Sequence, residues 1–109
     1  MARDPGLEEL INAELADIPG VTQKAMFGGL AWLVHGNLLC GARKDSLLVR
    51  LGKGNDAWAL KTSGVTPMVM GSRRMHGWVR VAPDVYSDDQ LRRQLLKAAL
   101  KFTQSLPKK

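Results

Sequence analysis

The chain has 109 residues, 45% of them hydrophobic, with a formal net charge of +6 and a single cysteine. That length suits one domain over residues 1–109 with one core, and no apolar run approaches the roughly 20 residues that cross a bilayer. Cys40 alone excludes an internal disulfide and an all-cysteine zinc site, and MARDPGLEEL carries acids where a secretory signal needs an apolar core, so a soluble, cytoplasmic protein is expected.

The first element is predicted to be a helix. Asp4 is placed to cap its free amides, Pro5 suits the first helical position, and Leu7, Leu10, Ile11, Leu15 and Ile18 share one face before Pro19-Gly20 ends it. From Val21 to Leu51, short apolar runs are broken at Gly28-Gly29, Gly36-Asn37 and Lys44-Asp45, which predicts four strands in an antiparallel meander. Its central strands, LAWLVH and LLCGAR, are apolar at nearly every position, so both of their faces are expected to be covered at least in part.

Residues 53–63 predict a short helix started by Asn55 or Asp56, anchored by Trp58 and Leu60 and closed by Gly64. After Pro67, MVM and WVRVA read as two further strands, with GSRRMHG as an exposed turn between them. The last helix carries the strongest local signal. Ser87 and Gln90 form a capping box, Tyr86 and Leu91 sit as a hydrophobic staple, and Leu91, Leu95, Ala98, Phe102 and Leu106 recur at helical spacing before Pro107. Arg92, Arg93, Lys97 and Lys101 are then expected mostly on the solvated side.

KAMFGG (24–29), LAWLVHGN (30–37), LLVRLG (47–52), PM (67–68), MHGWVRV (75–81) and SLP (105–107) together form a pattern that covers nearly the whole sequence. With them the sequence resembles the N-terminal domain of the TfoX/Sxy competence regulators. The resemblance implies an α+β fold: a curved antiparallel sheet of five to six strands packed by N-terminal, middle and C-terminal helices, in a two-layer architecture similar to secretion chaperones. It also implies a regulatory role. Full-length regulators of that family carry a second, C-terminal domain, whereas this sequence ends just after its last predicted helix, so functions that depend on that domain are not carried over.

The residues themselves offer little catalytic chemistry. His35 precedes a turn and His76 lies in a basic turn, neither in a recognisable acid-base motif, and Cys40 sits in an apolar strand with no adjacent base. His35, His76 and Cys40 lack a short chelating spacing, so no metal or other cofactor is expected. KAMFGG lacks the Lys-Ser/Thr of a P-loop and the three spaced glycines of a dinucleotide fingerprint; its glycine pair suits a hairpin turn, with Met26 and Phe27 packing.

Charge is the remaining signal. Residues 1–36 carry two basic and five acidic groups (−3), residues 37–82 eight and two (+6), and residues 83–109 six and three (+3). The basic candidates for binding are Lys24, Arg50, Arg73, Arg74 and Arg80, with Arg43 beside them; if several meet on one sheet face they suit phosphates or acidic side chains. Two functions follow: a non-enzymatic regulatory or protein-interaction domain, and, as the alternative, a nucleic-acid-binding module that stacks bases on exposed tryptophans. Trp32 and Trp78 are expected in the core. The partner is expected to be a protein, with nucleic acid as the alternative and no membrane; a homodimer stays open.

Overall fold

The computed structural model describes residues 5–26 and 28–108. The Asp4 cap and the packing of Phe27 therefore lie outside the described residues. In chain order the elements are α1 (Pro5–Leu15), β1 (Val21–Met26), β2 (Gly29–Val34), β3 (Asn37–Ala42), β4 (Leu47–Arg50), α2 (Ala57–Leu60), β5 (Val65–Met70), β6 (Arg73–Val81), α3 (Pro83–Tyr86) and α4 (Asp89–Gln104). The fold is α+β. Its six strands form one antiparallel sheet in the order β1-β2-β3-β4-β6-β5, so the expected meander of four holds and β6 inserts between β4 and β5.

Strand alternation divides the sheet into two unlike faces. Trp32, Val34, Leu47, Val49, Val79 and Val81 point to one face, where they pack with Leu7, Ile11 and Leu15 of α1 and Leu95, Leu96 and Ala99 of α4. Each fully buried aliphatic side chain there contributes roughly 1.5–3 kcal/mol. A bulge strengthens this core: Leu33 pairs with Leu38 but Trp32 with Cys40, so Leu39 is an extra residue, and both Leu39 and Cys40 end up in the same cluster. On the other face Leu48, Met68 and Trp78 form a smaller cluster with Leu38 and Met75 against it. The covered central strands are thus explained by two cores of different size.

A buried cation ties the long helices together. Arg92, only 2% exposed, donates from Nη1 to the Tyr86 carbonyl at 2.9 Å, from Nη2 to Asp89 Oδ1 at 2.8 Å and from Nε to Glu14 Oε2 of α1 at 3.3 Å. Arg93 Nε lies 3.4 Å from the second oxygen of the same Glu14. The hydrogen bond and charge of Arg92 hold the Asp89 carboxyl below the usual carboxylate range. Nearby, Asn12 Oδ1 of α1 accepts from Trp32 Nε1 at 2.8 Å and Gln23 Nε2 at 2.6 Å, which satisfies the buried indole and seats α1 over β1 and β2.

Several local expectations move. Arg92 is buried, not solvated, because α4 turns the stripe Arg92, Leu95, Leu96, Ala99 and Thr103 inward; Leu91, Ala98 and Phe102 are half-buried beside it. The cap is Asp88 rather than Ser87, its Oδ1 accepting from the amides of Gln90 and Leu91, and Ser87 instead closes the short α3 that Pro83 begins. GSRRMHG is not one long turn: Arg73 to Gly77 belong to β6, and Gly77, at φ +85, lets its carbonyl accept from both Leu51 and Gly52 amides. The β2–β3 turn falls on His35-Gly36, with His35 the one non-glycine at positive φ among the described residues, and Asn37 opens β3. The middle helix shrinks to one turn, buried through Ala59 with Leu60 packed against the core, while Leu10 of α1 faces solvent.

The sheet has two edges, β1 and β5. On β5 the Val65 amide is taken by the Thr62 carbonyl at 3.1 Å. Two residues on, where alternation aims the next outward donor, Pro67 has none.

Two stability outcomes follow from these contacts. Arg92→Ala leaves Glu14 without its buried partner and is expected to cost about 3 kcal/mol in urea unfolding, with Arg92→Lys losing less. The second concerns the KAMFGG segment. Only Gly28 of its glycine pair has positive φ; Gly29 begins β2, and a side chain there meets the backbone carbonyl of Ala42. Gly29→Ala is expected to lower the unfolding midpoint by the equivalent of about 1–3 kcal/mol, whereas Gly54→Asn, at φ +85 with open space around it and a side chain that tolerates that conformation, should move it less.

Candidate functional site

The two histidines and the cysteine singled out from the sequence lie apart from one another. His35 sits in the β2–β3 turn and His76 is exposed on β6, and among the described residues no three potential metal ligands converge. Cys40 is enclosed in the main core. Burial, with the Glu14 carboxylate adding to it, pushes its thiol far above the ordinary range, so it is held protonated and is a poor nucleophile.

The five basic candidates separate. Lys24 and Arg80 fall in one cross-strand row, Lys24–Ala31–Gly41–Leu48–Arg80–Thr66, on the face away from the helices. Four strand spacings, about 19 Å, lie between them. Arg80 Nη2 is 3.8 Å from Asp45 in an exposed pair, and Arg74, near the β5–β6 turn, lies 3.9 Å from Asp56. Arg73 is exposed beside that turn, paired in register with Met70. Arg50 is structural: its guanidinium lies 5.4 Å from the Phe102 ring centroid and donates to the Leu38 carbonyl at 3.3 Å. No single basic surface collects all five.

What the open face does build is a groove of about 570 Å³. Leu48 and Met68 form its apolar floor, Arg43 and Arg80 line it as cations, and Val69 and Met70 of β5 stand 57% and 47% exposed along it. Two further hollows, of about 770 and 740 Å³, adjoin between α2 and α4 and share Trp58, Ala98, Lys101 and Ser105. Trp58 is 38% exposed there, whereas Trp32 and Trp78 are buried.

Against known families, the model of the TfoX N-terminal domain matches residues 13–103. The chain belongs to the TfoX N-terminal domain family. No match was found among curated proteins or among solved structures. Membership makes this chain a regulatory or interaction domain in general terms, and the TfoX N-terminal domain is not a known enzyme family.

For this TfoX N-terminal domain, the sequence signalled the cations but not the hollows. Trp58 and Leu60 read from sequence as the anchors of the middle helix; Leu60 packs against the core and Ala59 is buried beside it, while Trp58 stays 38% exposed. Lys97 and Lys101 read as plain solvated charge, and only the rotation of α4 shows them beside Ala98 along a concave wall. Val69 and Met70 carry the one signal available beforehand, two apolar residues at the end of a strand beside a glycine turn.

The state of Cys40 can be measured directly. Native protein is expected to resist alkylation by iodoacetamide, with modification appearing only at the urea concentration where the fold opens; fast labelling of the folded protein contradicts the buried, protonated thiol.

Proposed function

We propose that this domain is a non-enzymatic regulatory module that works by binding a protein on the open face of its sheet. The observation that carries this reading is the groove over Leu48 and Met68, with Val69 and Met70 exposed along it and Arg43 and Arg80 beside them. Exposed apolar side chains around a concave floor supply desolvation energy to a partner. Cations at such a site add selectivity for a partner with carboxylates at matching positions. Arg80 is only loosely engaged by Asp45, because an exposed pair of that length is worth about 0–1 kcal/mol. It is therefore available to a partner.

Nucleic-acid binding has weaker support. Arg50 is stacked on Phe102, and two of the three tryptophans are closed to base stacking. Lys24 and Arg80 share a row, but small and apolar residues separate them.

The test is capture on the immobilised domain from extract of the native cell, with and without nuclease, quantified against a Met70→Glu/Arg80→Glu variant. Expected is a set of proteins retained by the wild type, insensitive to nuclease and lost from the variant. An identical set on both proteins overturns the reading. Loss on nuclease treatment overturns it in favour of nucleic acid.

A further inference from the structure

We propose that the trough between α2 and α4 is a second docking site, and that its occupant is an acidic amphipathic helix of a partner protein, gripped by Trp58. The trough is separate from the sheet groove, since no residue lines both.

Its shape sets the occupant's form. Gln94, Ala98, Lys101 and Ser105 follow one another at spacings of four, three and four along α4, so they make a single stripe parallel to the helix axis. From 94 to 105 that stripe runs about 16 Å, or three turns. Ala98 and Ser105 are its small residues, and small residues on such a stripe let a second helix lie at about 8–10 Å. An extended strand has no sheet edge to pair with here, because α2 and α4 have their backbone donors and acceptors turned inward along their own axes. A helix lying along α4 needs none.

Its chemistry sets the occupant's charge. The trough contains Lys61, Lys97 and Lys101 and no acidic residue. Among the described residues none of these lysines is held in an ion pair. Between them the wall is apolar, with Leu100 on one side and Phe102 on the other. Trp58, 38% exposed, lines both hollows, so one large flat side chain is within reach of whatever enters either. An apolar seam opposite Trp58 and Ala98, flanked by Asp and Glu facing the lysines, is the complementary surface. Single-stranded nucleic acid also likes cations and an aromatic, but one tryptophan offers only one stacking platform, and the apolar seam between the lysines suits side chains rather than a phosphate backbone.

The experiment selects a displayed library of random peptides on the intact protein, discarding clones that also bind Trp58→Ala. The best sequence is then titrated against the wild type while acrylamide quenching of tryptophan is followed. Trp58 dominates that signal because the other two indoles are buried. Selected sequences are expected to place apolar residues at helical spacing with Asp or Glu flanking them, and the peptide should shield Trp58 from acrylamide. Lys97→Glu/Lys101→Glu, both exposed positions, is expected to weaken binding about tenfold or more. Met70→Glu/Arg80→Glu should bind the peptide unchanged, so failure here and failure of the sheet groove are read separately. The proposal is overturned if no clone discriminates against Trp58→Ala, if selected sequences are basic, or if the lysine reversal leaves affinity unchanged. Shielding of Trp58 by an oligothymidine that disappears steeply with salt overturns it in favour of nucleic acid.

Discussion

A guanidinium shut away from water between α1 and α4 governs how the helices sit on the sheet. Removing Arg92 from solvent carries a desolvation cost of several kcal/mol, and only its three acceptors, Glu14, Asp89 and the Tyr86 carbonyl, offset it. Those acceptors come from α1, the first turn of α4 and the end of α3, so the cation is satisfied only when all three are in place. That requirement fixes the rotation of α4 about its axis. With Arg92 inward, Leu96, Ala99 and Thr103 follow it into the core, and Lys97, Ala98 and Lys101 are left along the outer wall. It also fixes α1, whose Asn12 then meets the Trp32 indole.

The sheet was readable where turns and alternation agree. β1 to β4, their antiparallel order and the separation of Val79 and Val81 from Arg80 all follow from period two and from glycine or polar breaks. Reading was hardest where a polar residue is buried or a breaker is absorbed. Arg92 hides the true stripe of α4 because burial of an arginine depends on acceptors up to 78 positions away in the chain. Gly77 marks an irregular passage inside β6 rather than a boundary, since its carbonyl is needed by the Leu51 and Gly52 amides. Asp88 outcompetes Ser87 as a cap because the short α3 uses Ser87 to finish its own turn.

The binding surfaces show the same division. Lys24, Arg73, Arg74 and Arg80 were visible as charge and are all exposed, but charge along a strand does not say which cations share a surface. Arg50 was misleading for the opposite reason: its aromatic and carbonyl partners lie on α4 and β3. The apolar floor residues Leu48 and Met68 had no signature as a surface, and Trp58 gave no sign of a hollow around it, because a concavity is a product of sheet curvature and helix placement.

β5 presents Val69 and Met70 to solvent on an edge strand, an arrangement that elsewhere recruits further copies of the same chain into extended sheets. Here the preceding stretch cannot be used that way: the Val65 amide is already occupied and Pro67 offers no hydrogen. The molecule therefore separates stickiness from templating. Along this stretch the side chains remain available to a partner that fits them, while the main chain has no free amide at Val65 or Pro67 for a strand that would pair there. Exchanging Pro67, which also lines the groove, for a residue with an amide would return one main-chain donor to that edge and bring a recognition edge closer to a polymerisation edge.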